Sequence, residues 1–300
     1  LLNSCTAVGL NQSQVPLLPI YILKYPITRN WPLCDGLLTI SILGGFYLAF
    51  VYKWGPEFMK NREPYKLNTV MKVYNLLQVV LSQVDIFDIL LQALAWGWAT
   101  KYKWICQPVN YDGDDTAVQE RLTVYYYFLL KILDLVDTVI FVLRKKFNQV
   151  SFLHVYHHFG MVFLCWGATV MYPGGHGTLI GVINSFVHVV MYFYYFLTVA
   201  VPSFKNAIWF KKLITQLQIL QFFWCAVHMG VLFFVTDCAY PRWVSVLFFP
   251  QNVFMLILFI DFYIKAYIKK PRKQIKSELN VNNGTSNGSH NIIQNKENTL

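Results

Sequence analysis

The residues best suited to chemistry in this sequence are three histidines in one short stretch. His154, His157 and His158 begin an apolar run that continues to Trp166. Positions i, i+3 and i+4 of an α-helix lie on one face, so the three imidazoles converge at the same depth. A neutral imidazole can act as a nucleophile or carry protons near neutral pH. The spacing therefore predicts a functional site, because polar groups inside an apolar helix usually mark function.

Polar side chains also recur at helical spacing in three neighbouring apolar segments. The positions are Lys131, Asp134, Asp137 and Thr138, then Asn184, His188, Met191 and Tyr195, then Gln218 and Gln221. An unpaired charge at mid-membrane costs about 2.5 to 3.5 kcal/mol. We therefore expect Lys131 and Asp134, three residues apart, to pair and to face a wet cavity. A purely structural ion pair, and glutamines that only bond helix to helix, are the alternative interpretations.

The composition indicates that these polar stripes lie in a membrane protein. The chain has 300 residues, of which 56% are hydrophobic and 13% charged, whereas about a quarter are charged in an average soluble domain. Each membrane-spanning helix needs about 20 apolar residues. We predict an all-α polytopic fold with seven transmembrane helices, near residues 34–53, 69–97, 122–143, 150–171, 178–200, 213–236 and 243–264. The second span carries Asp85 and Asp88, which fit either a polar kink or a segment that does not span.

The distribution of lysine and arginine predicts the orientation of these helices. Short cytoplasmic loops are enriched in basic residues, and here the basic groups gather in alternate loops and in the tail. This pattern puts the N-terminus outside and the C-terminus inside, with the histidines toward the cytoplasmic end of the fourth helix. The net charge of +10 is thus mainly a topology signal. Nucleic-acid binding is not expected, because no soluble domain carries the basic residues.

Taken together, four motifs in order resemble the ELO family, the elongases of very-long-chain fatty acids. They are the lysine-acid-acid-threonine stripe at 131–138, the histidine box at 154–158 preceded by Gln149, the stripe at 184–195, and the threonine-glutamine stripe at 215–222. The resemblance predicts an elongase domain at 30–273, between a lumenal segment at 1–29 and a disordered cytosolic tail at 274–300. Asp134 departs from the family pattern, since many relatives carry glutamate there.

The resemblance implies an acyltransferase of the endoplasmic reticulum membrane, a very-long-chain 3-oxoacyl-CoA synthase. Such an enzyme condenses a long-chain acyl-CoA with malonyl-CoA, releases CO2 and CoA, and works through an acyl-imidazole intermediate. Its seven helices would enclose an acyl-chain tunnel. The nucleophile would be His157, with His154 and His158 orienting it or handling protons. The remaining catalytic positions carried over are His188, Asn184, Lys131, Asp134 and Asp137.

Binding of the substrates and partners is predicted in the same way. CoA carries phosphates, so it should meet basic inner loops; the candidates are Arg144, Lys145, Lys146, Lys211 and Lys212. These residues could also merely obey the positive-inside rule. Other substrate-binding candidates are Gln149, Tyr192, Gln218 and Gln221. No cofactor is expected, while a ketoacyl-CoA reductase, a dehydratase and an enoyl-CoA reductase would complete the cycle, and a homo- or hetero-oligomer is possible.

Two other classes of protein compete with this interpretation. A histidine box can hold metal, as in membrane desaturases and hydroxylases, but of the seven histidines His290 lies in the tail and His176 in an outer turn. We therefore predict no metal, with zinc as the open alternative. A seven-span receptor or transporter is less favoured, because the sequence has neither internal repeats nor matched helix breaks.

The cysteines and glycosylation sequons provide predictions about the lumenal side. Only lumenal cysteines oxidise readily, and we favour a disulfide between Cys106 and Cys238, on the second and sixth connections. Asn11 lies in an Asn-Gln-Ser sequon on that side and is the predicted glycosylation site.

Overall fold

The computed structural model describes residues 28, 30–81, 94–111 and 113–269. Asn11, Asp85, Asp88, His290 and the predicted tail 274–300 lie outside these ranges. Within the described ranges the regular elements are all helical and no strand occurs, which confirms the all-α prediction.

Eight main helices are present in the described part of the chain. They are α1 (Leu37–Met59), α2 (Asn68–Leu81), α3 (Asp115–Leu133), α4 (Leu135–Leu143), α5 (Phe152–Met171), α6 (Thr178–Ala200), α7 (Ile208–Val231) and α8 (Arg242–Tyr263). Residues 94–100 are also helical. A π-helical turn, Phe50–Trp54, interrupts α1, and another, Ile264–Lys269, extends α8.

Among the described residues, three helices are long and apolar enough to cross a membrane, namely Leu37–Met59, Gly175–Ala200 and Arg242–Lys269. The predicted fifth span has the same bounds as α6. The predicted sixth span is shifted, because α7 begins at Ile208 and ends at Val231. The predicted third span is divided between α3 and α4. A total of seven spans stays a prediction.

The division between α3 and α4 has a specific cause at Asp134. The amide of Asp137 donates to the carbonyl of Asp134 at 3.2 Å, one residue short of the usual α-helical acceptor. The carbonyl of Leu133 instead accepts a 3.2 Å hydrogen bond from the hydroxyl of Tyr74 on α2. A side chain from a neighbouring helix has thus entered the backbone ladder, which is a known cause of helix breaks.

Local capping sets the start of the two helices that carry the central polar residues. Asp114 caps α3 by accepting from the amide of Ala117 at 2.9 Å. Ser151 caps α5 by accepting from the amide of His154 at 3.2 Å. Because each cap satisfies an amide that the helix leaves unpaired, it determines where the helix begins. The first histidine therefore lies in the first turn of α5.

Pairwise packing of the helices encloses a polar interior. Helix α2 packs on α6, α3 on α5 and α7 on α8. The inner end of the bundle is defined here by Arg144–Lys146, and the outer end by the Cys106–Cys238 disulfide. At the inner end the amide of Tyr65 donates to the carbonyl of Leu143 at 3.1 Å, which joins the segment after α1 to the end of α4.

The outer end is closed by loops that pack against each other. The structure joins Cys106 to Cys238, the pair favoured from the sequence. The amide of His176 donates to the carbonyl of Gln107 at 2.8 Å. Gly175 has a φ of +69° and a Cβ there would lie 2.9 Å from the Pro108 carbonyl oxygen, so only glycine fits this close crossing.

Candidate active site

The three histidines of α5 form a compact imidazole cluster. The ring centroids of His154 and His158 lie 4.2 Å apart, and those of His157 and His158 lie 5.5 Å apart. The Nδ1 atom of His157 is buried and has no hydrogen-bond partner. The ring of Phe222 on α7 packs edge-on against the His157 ring, with a centroid distance of 6.0 Å. His157 therefore presents a ring nitrogen that is not engaged by the protein.

Asp134, at the break between α3 and α4, is the centre of a second cluster. Its Oδ2 atom lies 2.9 Å from Lys131 Nζ and 3.7 Å from His188 Nδ1. Its Oδ1 atom accepts from Gln78 Nε2 at 2.9 Å and from the Tyr192 hydroxyl at 3.1 Å. All five side chains are buried. The carboxylate thus joins groups from α2, α3 and α6.

Helix α4 connects this carboxylate cluster to the imidazole cluster. Asp137 accepts a 2.7 Å hydrogen bond from the Tyr192 hydroxyl. One residue later, Thr138 Oγ1 is 2.9 Å from His154 Nε2 and 2.9 Å from the Tyr47 hydroxyl of α1. Because a hydroxyl can donate to one partner and accept from the other, Thr138 connects the His154 ring to the Tyr47 hydroxyl and holds the ring in place.

Asn184 is attached to the same network through an aromatic side chain. The Tyr127 hydroxyl on α3 donates to Asn184 Oδ1 at 2.7 Å. The Lys131 ammonium lies 4.9 Å from the centroid of the Tyr127 ring, a favourable cation–π geometry. Asn184 and His188 are one turn apart on α6 and are both buried. The structure therefore places the predicted catalytic residues in two adjoining polar clusters, which meet at the neighbouring residues Asp137 and Thr138 of α4.

The predicted substrate-binding residues fall into two groups. Tyr192 is fully buried and its hydroxyl is engaged by Asp134 and Asp137, so its place is behind the carboxylates. Gln218 Nε2 contacts the Met191 sulfur at 3.7 Å, and Gln221 is buried on α7. The others lie at the inner end and are half-buried or exposed; they are Arg144, Lys145, Lys146, Gln149, Lys211 and Lys212.

An apolar cavity begins one helical turn beyond His158 on α5. Its volume, measured as the space open to the centre of a water molecule, is about 70 Å³. Tyr127, Met161 and Cys165 line the part next to the imidazoles, and Tyr172, Gly181 and Tyr240 line the part toward the outer end. Its lining is almost entirely apolar, as in sites for apolar ligands. The cavity therefore offers an apolar surface on the side of α5 that follows the histidines.

Four residues of the network were missed by the sequence analysis. They are Tyr47 on α1, Tyr74 and Gln78 on α2, and Tyr127 on α3. A signal for two of them was present, because Tyr74 and Gln78 are four residues apart and so share one face of an apolar helix. The Gln78 amide donates to the Tyr74 hydroxyl at 2.9 Å, as that spacing allows.

A metal site is the alternative function of a histidine cluster. In the part of the chain that the structure describes, no three histidine, cysteine, aspartate or glutamate side chains are grouped so as to hold a metal ion. His176 and His228 form a separate stacked pair near the outer end, with ring centroids 3.7 Å apart and each Nε2 at 3.1 Å from the other's backbone carbonyl. That pair is engaged with backbone and joins α7 to the turn before α6.

Comparison with known proteins identifies the family of this chain. The model of the ELO: GNS1/SUR4 family matches residues 32–275. Very long chain fatty acid elongase 7 of Rattus norvegicus is 37% identical over 243 residues, covering 80% of this chain and 85% of that protein. Very long chain fatty acid elongase 7 of Drosophila melanogaster is 36% identical, covering 80% of this chain and 72% of that protein. Very long chain fatty acid elongase 4 of Homo sapiens is 36% identical, covering 79% of this chain and 74% of that protein. The chain is thus a multi-pass membrane protein of fatty acid elongation and belongs to the ELO family.

Proposed function

We propose that this protein catalyses the decarboxylative condensation of a long-chain acyl-CoA with malonyl-CoA to give a 3-oxoacyl-CoA two carbons longer. The observation that carries the proposal is the buried, unpartnered Nδ1 atom of His157, which lies in a cluster of imidazoles on the helix whose following turns line an apolar cavity. A buried ring nitrogen without a partner is available to bond a substrate atom, whereas a structural histidine would be hydrogen-bonded.

In the first half-reaction a ring nitrogen of His157 attacks the thioester carbonyl carbon. The C–S bond breaks, the ring proton passes to the departing sulfur, and CoA leaves an acyl-imidazole behind. Nucleophilic catalysis of this kind divides one difficult step into two easier ones. His158 adjoins His157, and His154 adjoins His158; these two imidazoles handle the proton, and the Thr138 hydroxyl holds the His154 ring in place.

In the second half-reaction malonyl-CoA loses CO2 and its methylene carbon becomes an enolate. The enolate attacks the acyl carbonyl, the C–N bond to His157 breaks, and the ring nitrogen regains a proton. The two half-reactions together consume one proton. Negative charge develops on the thioester oxygen of malonyl-CoA, and donors aimed at such an oxygen contribute most to catalysis. His188, Asn184 and Lys131 are those donors, while Asp134 and Asp137 orient them.

The substrates enter from the inner end in this proposal. The acyl chain occupies the apolar cavity, which forms the tunnel within a bundle of seven spans. The CoA phosphates bind the basic residues of the inner end, where arginine offers a planar fork and lysine a point charge; these are Arg144, Lys145, Lys146, Lys211 and Lys212. Gln149, Gln218 and Gln221 contact the substrates near the histidines.

The proposed cellular setting follows from the same reaction. The catalytic domain at 30–273 lies in the endoplasmic reticulum membrane with its N-terminal side lumenal and its C-terminal side cytosolic. No cofactor takes part, since CoA thioesters are the substrates. Reduction, dehydration and a second reduction of the product fall to a ketoacyl-CoA reductase, a dehydratase and an enoyl-CoA reductase, which act with this protein as separate partners or in a hetero-oligomer.

The test uses purified full-length protein, a long-chain acyl-CoA and labelled malonyl-CoA. Wild type should release CoA from the acyl-CoA alone and should form labelled 3-oxoacyl-CoA when malonyl-CoA is added. His157→Ala should lose both reactions, whereas His188→Ala should keep CoA release and lose condensation. His290→Ala, in the C-terminal segment, is the matched control and should keep both. Condensation by a folded His157→Ala variant would refute the assignment, and a stoichiometric metal in elemental analysis would redirect the mechanism.

A further inference from the structure

We infer that Gln78 of α2 is a positioning residue for the second half-reaction, holding the Asp134 carboxylate in the orientation that serves Lys131 and His188. This inference rests on the proposed function and deepens it, because it assigns a role to a helix that contributes none of the motif residues. Gln78 is the residue on α2 whose side chain reaches the Asp134 carboxylate.

The contacts of Gln78 account for the whole donor capacity of its amide. The Nε2 atom lies 2.9 Å from Asp134 Oδ1, 2.9 Å from the Tyr74 hydroxyl and 3.4 Å from the Tyr192 hydroxyl. An amide nitrogen has two hydrogens, and both are directed into this cluster. The side chain is 1% exposed, so water does not replace these partners.

The orientation of the Asp134 carboxylate is decided by its partners. Rotation about the terminal torsion of an aspartate has broad minima, so the side chain itself does not set the plane of the carboxylate. Gln78 and Tyr192 engage Oδ1, and this leaves Oδ2 directed at Lys131 and His188. If the Gln78 amide is removed, Lys131 can bond either oxygen, and the 3.7 Å approach of His188 to Oδ2 is no longer maintained.

Helix α2 also holds the backbone on which Asp134 sits. The Tyr74 hydroxyl donates to the carbonyl of Leu133, the residue before Asp134, and accepts from Gln78. Two side chains of α2, one turn apart, therefore fix both the helix break and the carboxylate beside it. Neither side chain belongs to the imidazole cluster, so Gln78 acts through Asp134 and is not itself a catalytic residue.

The first test separates the two half-reactions in a Gln78→Leu variant of the full-length protein. Condensation with labelled malonyl-CoA should slow by about tenfold to a hundredfold, since a buried bond to a charged group is lost. CoA release from acyl-CoA alone should stay close to wild type, because the His157 cluster is not touched. Damage to the whole fold would lower both rates. Asn75→Leu, another buried polar residue of α2 outside this network, is the control and should leave the ratio of the two rates unchanged.

A Gln78→Glu variant provides the second test, which does not depend on how well the leucine variant folds. A protonated glutamic acid can donate to Asp134 as the amide does, whereas an ionised one repels it. The activity of Gln78→Glu relative to wild type should therefore rise as the pH is lowered. Titratable and charged groups face this position from every neighbouring element. They are Tyr74 on α2, Lys131 on α3, Asp134 at the helix break, Asp137 on α4, and His188 and Tyr192 on α6.

The outcomes distinguish the inference from the proposed function. Wild type without malonyl-dependent condensation would overturn both. Suppose instead that wild type is active and His157→Ala is inactive. If Gln78→Leu then condenses normally, or loses both half-reactions equally, the role of Gln78 alone is overturned. The role of Gln78 would also be overturned if the activity of Gln78→Glu relative to wild type did not change with pH.

Discussion

Asp134 illustrates how a buried charge is accommodated in this molecule. Its carboxylate has a cation, an imidazole, an amide and a hydroxyl around it, so both oxygens are engaged. Burying an ion is costly unless it is paired and its remaining lone pairs are bonded. The four partners offset the cost of burying the carboxylate. Each partner's position also depends on the other three, because all of them contact the same carboxylate. Single substitutions within the set should therefore have larger effects than their bond count suggests.

Lys131→Met should destabilise the protein by about 3 to 5 kcal/mol, because it leaves the Asp134 carboxylate buried without its cation. Lys131→Met combined with Asp134→Leu should recover much of the lost stability, since neither charge remains, but should not recover condensation. Thermal unfolding in detergent and the malonyl-CoA assay measure the two effects.

The matched control for this ion pair is Lys265, whose ammonium lies 2.6 Å from Asp261 on an exposed part of α8 and its extension. Lys265→Met should cost about 1 kcal/mol or less, because water screens an exposed pair. An equal loss of stability in Lys131→Met and Lys265→Met would show that burial does not increase the cost of breaking the ion pair.

At the scale of the element, α6 has two functions along its length. Its middle carries Asn184 and His188 in the polar network, and its first turns carry small residues beside the apolar cavity. A Cβ added to Gly181 would meet nothing within 4 Å, so the space there belongs to the cavity. In the proposed reaction the same helix would therefore position the reacting groups and shape the volume available to the acyl chain.

Gly181→Leu should shift the products of elongation toward shorter chains, because the new side chain would occupy part of the cavity. Product profiles from yeast that lacks its own elongases would report the shift. Gly45→Leu is the matched control: a Cβ there also meets nothing within 4 Å, but Gly45 is exposed on α1 and does not line the cavity. An unchanged profile for an active Gly181→Leu variant would contradict the cavity as the acyl-chain site.

At the scale of the whole molecule, the outer end is held by covalent and polar links between distant parts of the chain. The Cys106–Cys238 disulfide joins residues separated by 132 positions. The buried Glu120 carboxylate accepts from the Tyr102 hydroxyl at 2.5 Å and from the Gly175 amide at 3.3 Å. Burial raises the pKa of Glu120, which lies outside the predicted spans. These links hold the loops of the outer end together.

Cys238→Ser should lower the free energy of unfolding by about 2 to 5 kcal/mol, the usual effect of removing a native disulfide. Catalysis at a temperature where the variant remains folded should be close to wild type, because the disulfide lies at the end opposite the histidines. Thermal unfolding in detergent tests the first statement and the malonyl-CoA assay the second. The double variant Cys106→Ser/Cys238→Ser should match the single variant; additive losses would mean that the cysteines act separately.

Features that depend on local spacing were predictable from the sequence. The i, i+3 and i+4 pattern placed three imidazoles on one face of α5, and the three-residue spacing paired Lys131 with Asp134. The uninterrupted apolar run between turns gave the bounds of α6. These predictions succeed because helical periodicity is a property of neighbouring residues, which the sequence contains directly.

Contacts between distant residues were decided only by the tertiary structure. Gln78 meets Asp134 across 56 positions, Tyr74 meets Leu133 across 59, and Tyr47 meets Thr138 across 91. The break at Asp134 and the cavity beyond His158 follow from such contacts. No periodic pattern encodes them, because a hydrogen bond between two helices depends on how the helices pack and rotate. The amino-acid sequence alone thus predicted most of the helices and the spacing of their polar side chains, and the packing of the helices determined the break at Asp134 and the partners of those side chains.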